Sequence, residues 1–291
     1  PDGPLMGIPL EMGLPSVPIV YAASGSLVVR PEAVQDGPAS RGAVVVGDPE
    51  YHDWTSDGGA TSGFVEPDRA SAILPVLHRG DSDDQLDRLP GTRAEAISIA
   101  DHFGDAATLL LGAEATKSRL ERALSEGVPR VVHLASHGLL GTEQSPLRAR
   151  IALARQTSVA GSSYEALTLE DLLSGWGELF DGVELVVLSA CDTASGFRRG
   201  GTVMALPLGL LAGGAGSVLS TLWPVADDAT ALLMSRFYGN WLGRFDESRI
   251  VDGRVYAAGT PMPKIHALRE AQHWLRTDAG VQEAHGNAPY G

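Results

Sequence analysis

The sequence predicts an α/β protein built on a mostly parallel β-sheet with helices on both faces. Three observations carry this expectation. Short apolar runs bounded by turn residues recur along the chain, at 43–47, 131–136, 185–190 and 217–223. Each is separated from the next by segments of helical character, which is the alternation that a parallel sheet requires. The chain of 291 residues is 44% hydrophobic with a mean hydropathy of +0.01, enough for a sizeable core in one large domain.

The elements follow in order. Residues 1–42 are rich in Pro and Gly, with short apolar pieces at Val17–Ala22 and Ser26–Val29. A β-rich run, Ala43–Gly47, ends in Asp48-Pro49, and the polar, acidic stretch Glu50–Arg88 reads as a long surface loop or lid. Thr92 and Glu95 have capping-box spacing, so a helix is expected from Thr92, with Ala96, Ile97, Ala100 and Phe103 on one face. A second helix is expected over Thr116–Leu124, built on Leu120 and Leu124. The strand Val131–Ser136 follows, then a polar stretch, Gly141–Ser163, containing a strand at Arg150–Ala154. Thr168 and Asp171 mark another helix start. After the strand that ends at Cys191, Gly200-Gly201 precedes an apolar helix over Thr202–Ala212, and Gly213–Gly216 turns into the strand Ser217–Trp223. Pro224 stops that strand, and Asp227-Asp228 suit the first turn of a helix reaching Leu242. Phe245–Pro263 reads as an insertion or surface loop, and His266–Arg276 as the last helix.

Composition narrows the function. Asp and Glu outnumber Lys and Arg 36 to 22, a net charge of −14, which argues against nucleic acid as a direct ligand. No apolar stretch approaches the roughly 20 residues of a membrane helix, and no secretion leader is visible, so no membrane association is expected. One cysteine permits no internal disulfide, which fits a reducing, cytoplasmic setting.

That cysteine is the most informative residue. Cys191 closes the most apolar strand-like run, LVVLSACDTASG, and a second run, VVHLASHG, ends on His137-Gly138. In open α/β sheets, sites lie beyond the carboxyl ends of the strands. A thiol and an imidazole delivered there would form a catalytic dyad, with the imidazole drawing the proton from the thiol. The peptide N–H groups of Gly138 and Cys191 would hold the developing oxyanion. The alternative for Cys191 is a small buried hydrophobe.

Other features weigh less. His133 and His137 have the four-residue spacing of a metalloprotease helix. On a strand, however, that spacing separates the side chains by ~13 Å, and no catalytic Glu lies between them. No metal and no cofactor is expected, and His133 reads as a hydrogen-bonded core residue. The Lys117-Ser118 pair lacks the glycine of a phosphate loop, and no Gly-x-Ser-x-Gly elbow is present. Ser220, Thr221, Leu222 and Trp223 form an edge open to a substrate strand, with Trp223 either a wall of that groove or a core residue. Asp192, with Asp227 and Asp228, would make a negative pocket for a basic side chain; helix capping explains the last two equally well.

The ordered set of motifs resembles the CHAT domain, a caspase-like cysteine peptidase fold related to separase, caspases and metacaspases. The resemblance runs through PDGPLMGIPLE, VVVGDP, LPGTRAEA, LLGAEATKSRL, HLASHG, LVVLSACDTASG, AGGAGSVLSTLWPVADDAT and ALREAQHWL, so it spans nearly the whole chain as a single domain. It implies that His137 is the base, that Cys191 is the nucleophile, and that Ser220–Trp223 is the edge pairing with substrate. It also implies a protein substrate, a place in bacterial defence or regulated cell death, and a regulatory repeat or sensor module. No such module is expected in this sequence, so a missing N-terminal portion or a partner chain would supply it. The alternative is a caspase-like interaction module that recruits a partner without cutting it.

Overall fold

The computed structural model describes residues 42–51, 86–139, 141, 145–155, 164–190, 197–199, 202–204, 206–221 and 227–281. Its centre is a five-stranded sheet in the order β10-β7-β3-β1-β2, parallel at every pairing. These strands are β1 (Ala43–Pro49), β2 (Ala107–Gly112), β3 (Val131–Ala135), β7 (Leu185–Ser189) and β10 (Val218–Ser220). A mostly parallel sheet with helices on both faces is the expected architecture, and β2 is a strand that the sequence did not signal.

Period-two alternation along the strands builds the two layers. Val44, Val46, Val132, Leu134, Val186 and Leu188 face one side. They pack there with α2 (Lys117–Ser125), α3 (Leu169–Leu173) and α4 (Leu206–Ala212) through Leu120, Leu124, Leu169, Leu172, Leu206 and Leu210. Val45, Val131, Leu185 and Val187 face the other side. There they meet α1 (Pro90–Asp101), α5 (Asp227–Trp241) and α6 (Lys264–Thr277) through Ala96, Ile99, Phe237, Tyr238, Ala267 and Ala271. Strands buried on both faces must be apolar throughout, which is why β1, β3 and β7 read as continuous Val/Leu runs. Each fully buried Val or Leu contributes roughly 1.5–3 kcal/mol.

Smaller sheets decorate this frame. β4 (Gly138–Leu139), β5 (Arg150–Leu153) and β6 (Glu165–Thr168) form an antiparallel sheet that begins immediately after His137. β8 (Phe197–Arg199) and β9 (Thr202–Met204) pair antiparallel, and β11 (Arg249–Val251) and β12 (Arg254–Tyr256) form a hairpin within the expected insertion.

Several expectations are corrected. Helix α1 starts at Pro90 rather than Thr92, and no capping box forms. Proline suits the first helical position because its missing N–H costs nothing there. Thr92 instead accepts from the Asp48 N–H (2.9 Å) and donates to the Leu89 carbonyl (2.7 Å), while Glu95 turns into the core. Ile97 lies on the exposed side of α1. The helix expected over Thr202–Ala212 is divided, its first residues forming β9 and only Leu206–Ala212 being helical. The expectation at Thr168 and Asp171 holds, with both bonds of a capping box present. Residues 1–41 and most of the expected loop 50–88 lie outside the described residues.

Candidate functional site

The site is built at the carboxyl ends of three adjacent strands. Strand β3 runs in register with β7, Ala135 opposite Ser189, and the pairing continues as the Ser136 N–H donates to the Ser189 carbonyl (3.2 Å). His137 is therefore the second residue past β3. Its Nε2 sits 2.7 Å from the Asp87 carbonyl oxygen. A carbonyl only accepts, so Nε2 carries the hydrogen, and in the neutral ring Nδ1 is left as the acceptor. The imidazole is half-buried and oriented, with Nε2 committed to the Asp87 carbonyl and Nδ1 carrying the lone pair that a base requires.

Behind the ring is a buried polar pin. Tyr51 and Ser136 are each 1% exposed. The Tyr51 hydroxyl lies 2.9 Å from Ser136 Oγ, which donates to the Ala152 carbonyl at 2.5 Å. Burial, opposed by the Ser136 and His137 hydrogen bonds, pushes the Tyr51 phenol up to about 12. It is a neutral packing and hydrogen-bonding group across the working pH range. Its ring centroid is 5.5 Å from that of His137 and 6.3 Å from that of Tyr164, so the imidazole rests on an aromatic floor.

Gly138 opens β4 opposite Ile151, and the Ala152 N–H donates to the His137 carbonyl (2.9 Å). This pattern makes Gly138–Ile151 a non-hydrogen-bonded pair, which turns the Gly138 N–H out of the β4–β5 ladder. A peptide N–H left out of a ladder beside an oriented imidazole is suited to a developing negative oxygen.

On the other side of β7, Ser220 ends β10 in register with Leu188. The Thr221 hydroxyl donates to the Ala190 carbonyl, bracing the chain one residue before position 191. Among the described residues β10 has a strand neighbour on one side only, so it is an edge of the central sheet. The structure thus brings His137, Gly138, Ser220 and Thr221 to one end of the sheet. Cys191, Asp192, Leu222 and Trp223 lie outside the described residues, and so do the side chains of Asp227 and Asp228.

His133 is fully buried in β3, as expected of a core histidine. Its Nε2 lies 3.1 Å from Glu95 Oε1 and its Nδ1 3.3 Å from the Tyr238 hydroxyl. Both of its nitrogens are committed, and they meet a different set of partners from those of His137. The helical four-residue pairing of the two histidines does not form.

Three contributors to the site escaped the sequence reading. The Asp87 carbonyl is a backbone atom fifty residues from His137 and leaves no trace in residue type. Tyr51 follows the turn after β1, where an isolated aromatic residue carries no pattern. Asp48, in the Asp48-Pro49 that closes β1, is buried at 1% exposure with φ +47 and accepts from Arg88 through both guanidinium nitrogens Nε and Nη2.

A parallel sheet between two helical layers, with an oriented histidine past a central strand, is the layout of caspase-like α/β proteins. The chain belongs to the CHAT domain family, whose sequence model matches residues 1–290; this is a caspase-like family within the cysteine-peptidase clan. It is also similar to tetratricopeptide repeat protein 28 of Mus musculus, 29% identical over 178 residues. That match takes in 53% of this chain and 7% of the mouse protein, so the chain corresponds to a small part of that relative. Among the described residues no helix is long and apolar enough to cross a membrane.

Proposed function

We propose that the protein is a cysteine endopeptidase that cleaves a protein partner through His137 and Cys191, with no cofactor. The observation that carries this reading is the orientation of His137. Its Nε2–H is held by the Asp87 carbonyl at the end of β3, beside β7, and Cys191 follows the end of β7 by two residues. Nδ1 takes the Cys191 proton, and the thiolate attacks the substrate carbonyl carbon. The N–H groups of Gly138 and Cys191 stabilise the oxyanion. Collapse breaks the C–N bond as the His137 proton passes to the departing amine, and water, deprotonated by His137, then hydrolyses the thioester.

In this reading the substrate adds a strand to the edge formed by Ser220, Thr221, Leu222 and Trp223, and Asp192 receives a basic side chain. The whole chain acts as one peptidase domain, with 50–88 and 245–263 as insertions, the second packing Phe245, Val251, Tyr256 and Met262 into the core. It is the catalytic part of a larger regulated cytoplasmic protein of bacterial defence or cell-death type, governed by a repeat or sensor module. The tetratricopeptide-repeat name of the mouse relative supports that protein-interaction setting. The name of that relative fits a second reading as well, a caspase-like module that binds a partner without cutting it.

The test is proteolysis by the wild type, Cys191→Ala and His137→Ala, with folding checked by circular dichroism. Cleavage by wild type alone is the expected result. Residual proteolysis by Cys191→Ala contradicts the assignment, and a near-normal rate in His137→Ala removes the histidine from the mechanism.

A further inference from the structure

Asp48 is a carboxylate 1% exposed at the carboxyl end of a central strand, a costly place for a charge unless it is fully paired. β1 pairs irregularly with β2 between Gly47 and Pro49, and Asp48 takes φ +47 at that irregularity. Asp is among the residues that adopt this left-handed conformation most readily, and such bulges re-aim a side chain. The re-aimed carboxylate accepts from Arg88 Nε (3.0 Å) on one oxygen and from Nη2 on the other, with Arg93 Nη1 3.5 Å from the second. The Asp48 N–H is itself anchored on Thr92 Oγ1, in the first turn of α1. Arg88 is the residue after Asp87, whose carbonyl holds His137.

From this we infer that Asp48 and Arg88 are positioning residues: their forked ion pair fixes the lead-in to α1 so that the Asp87 carbonyl meets Nε2 of His137 and sets its tautomer. The inference rests on the proposed role of His137 and adds to it the device that prepares the base. Arg88 acts on His137 through the peptide bond it shares with Asp87. A planar fork is needed because one point charge would fix the position of the segment but not its rotation.

The test uses the full chain and two readouts. Imidazole nitrogen spectra, with the His137 resonance assigned by its loss in His137→Ala, report the tautomer directly. The rate of iodoacetamide alkylation against pH reports the thiol, unambiguously because the chain holds one cysteine. Arg88→Ala leaves the buried Asp48 carboxylate with Arg93 alone at 3.5 Å, so the folding of each variant is checked by circular dichroism, and Arg88→Lys, which keeps a charge beside Asp48, is the second variant. Arg88→Ala is expected to turn the pure Nε2–H spectrum of His137 into a mixture of tautomers. It should also slow alkylation at neutral pH by roughly tenfold, the scale of one misdirected hydrogen bond, and displace its pH profile. Arg88→Lys should restore part of both effects. Arg119→Ala, which removes only an exposed pair with Glu114, should leave both as in wild type. A wild-type tautomer pattern in Arg88→Ala overturns the inference. A His137→Ala profile identical to wild type would instead defeat the dyad reading, while the spectra still report on the latch.

Discussion

Replacing Ser136 by Ala tests how the seat of His137 is held. Ser136 Oγ is the middle of a buried chain, bonded to the Tyr51 hydroxyl and donating to the Ala152 carbonyl. All three residues are at most 1% exposed. Removing the oxygen leaves the phenol without its Ser136 partner and takes a donor from the Ala152 carbonyl. Each stranded buried group costs about 1–3 kcal/mol, so Ser136→Ala should destabilise by roughly 2–4 kcal/mol after partial relaxation. Tyr51→Phe takes one partner from Ser136 and one from the His137 backbone but leaves the Ser136–Ala152 bond in place, so it should cost about 1–2 kcal/mol. In the double variant the phenol that has lost its Ser136 partner no longer exists, so the loss should fall short of the sum of the two single losses by about 1 kcal/mol. Urea denaturation of the wild type, the single variants and the double variant measures all of these terms. A Ser136→Ala loss below about 0.5 kcal/mol, the range of an ordinary surface change, would refute the claim that this chain pins β3 to β5.

Three further outcomes are expected. At Gly47 a Cβ would lie 2.5 Å from the Ala96 Cβ and 2.6 Å from the Thr92 carbonyl oxygen, where neither neighbour is a flexible side-chain end. Gly47→Ala should therefore cost about 1–3 kcal/mol, and a thermal midpoint equal to wild type would contradict the close approach of α1 to β1. Burial alone would raise the Glu270 carboxyl, but hydrogen bonds from Arg236 and Asn240 outweigh it and hold it below its ordinary value of 4.5. Its folded form thus binds the proton less readily than its unfolded form, so its stabilisation is full above pH 4.5 and is lost as pH falls through the depressed value. Acid titration of unfolding should show a shallower loss in Glu270→Gln than in wild type, and parallel curves would remove Glu270 from that linkage. Asp192→Asn should weaken cleavage after basic residues, and an unchanged profile across a peptide library would discard Asp192 as the specificity group.

The legible parts of the fold are those whose residues announce their own environment. β1, β3 and β7 are apolar throughout because both faces are covered, and Asp171 forms the capping box that its spacing from Thr168 suggests. The Thr92 and Glu95 spacing misled for a tertiary reason. Glu95 is drawn to His133 and Thr92 to Asp48, contacts that no local window contains. The strand β2 gave no strand signal, since Ala107–Gly112 has mixed burial, follows directly on a helical turn and, among the described residues, is an edge. The hairpin of β11 and β12 exposes Ile250 and Val255 and carries arginines at its ends, so its alternation is too short to register.

At the site, His137 was readable from the strand that delivers it, because an apolar run ending in a polar residue and a glycine fixes a strand end. Its orientation was not. The Asp87 carbonyl belongs to the backbone, and the Asp48–Arg88 pair joins residues forty positions apart. Charge pairing over that separation depends on the fold having already brought β1 and the start of α1 together.

The central claim is that the lone cysteine is an activated nucleophile. Treating wild-type and Cys191→Ala protein with a peptide acyloxymethyl ketone library and reading intact mass tests it most directly. The account predicts one adduct on the wild type and none on the variant, with the preferred peptide defining the first specificity pocket. A thiol that reacts no faster than free cysteine, even with its regulatory partner present, would contradict it.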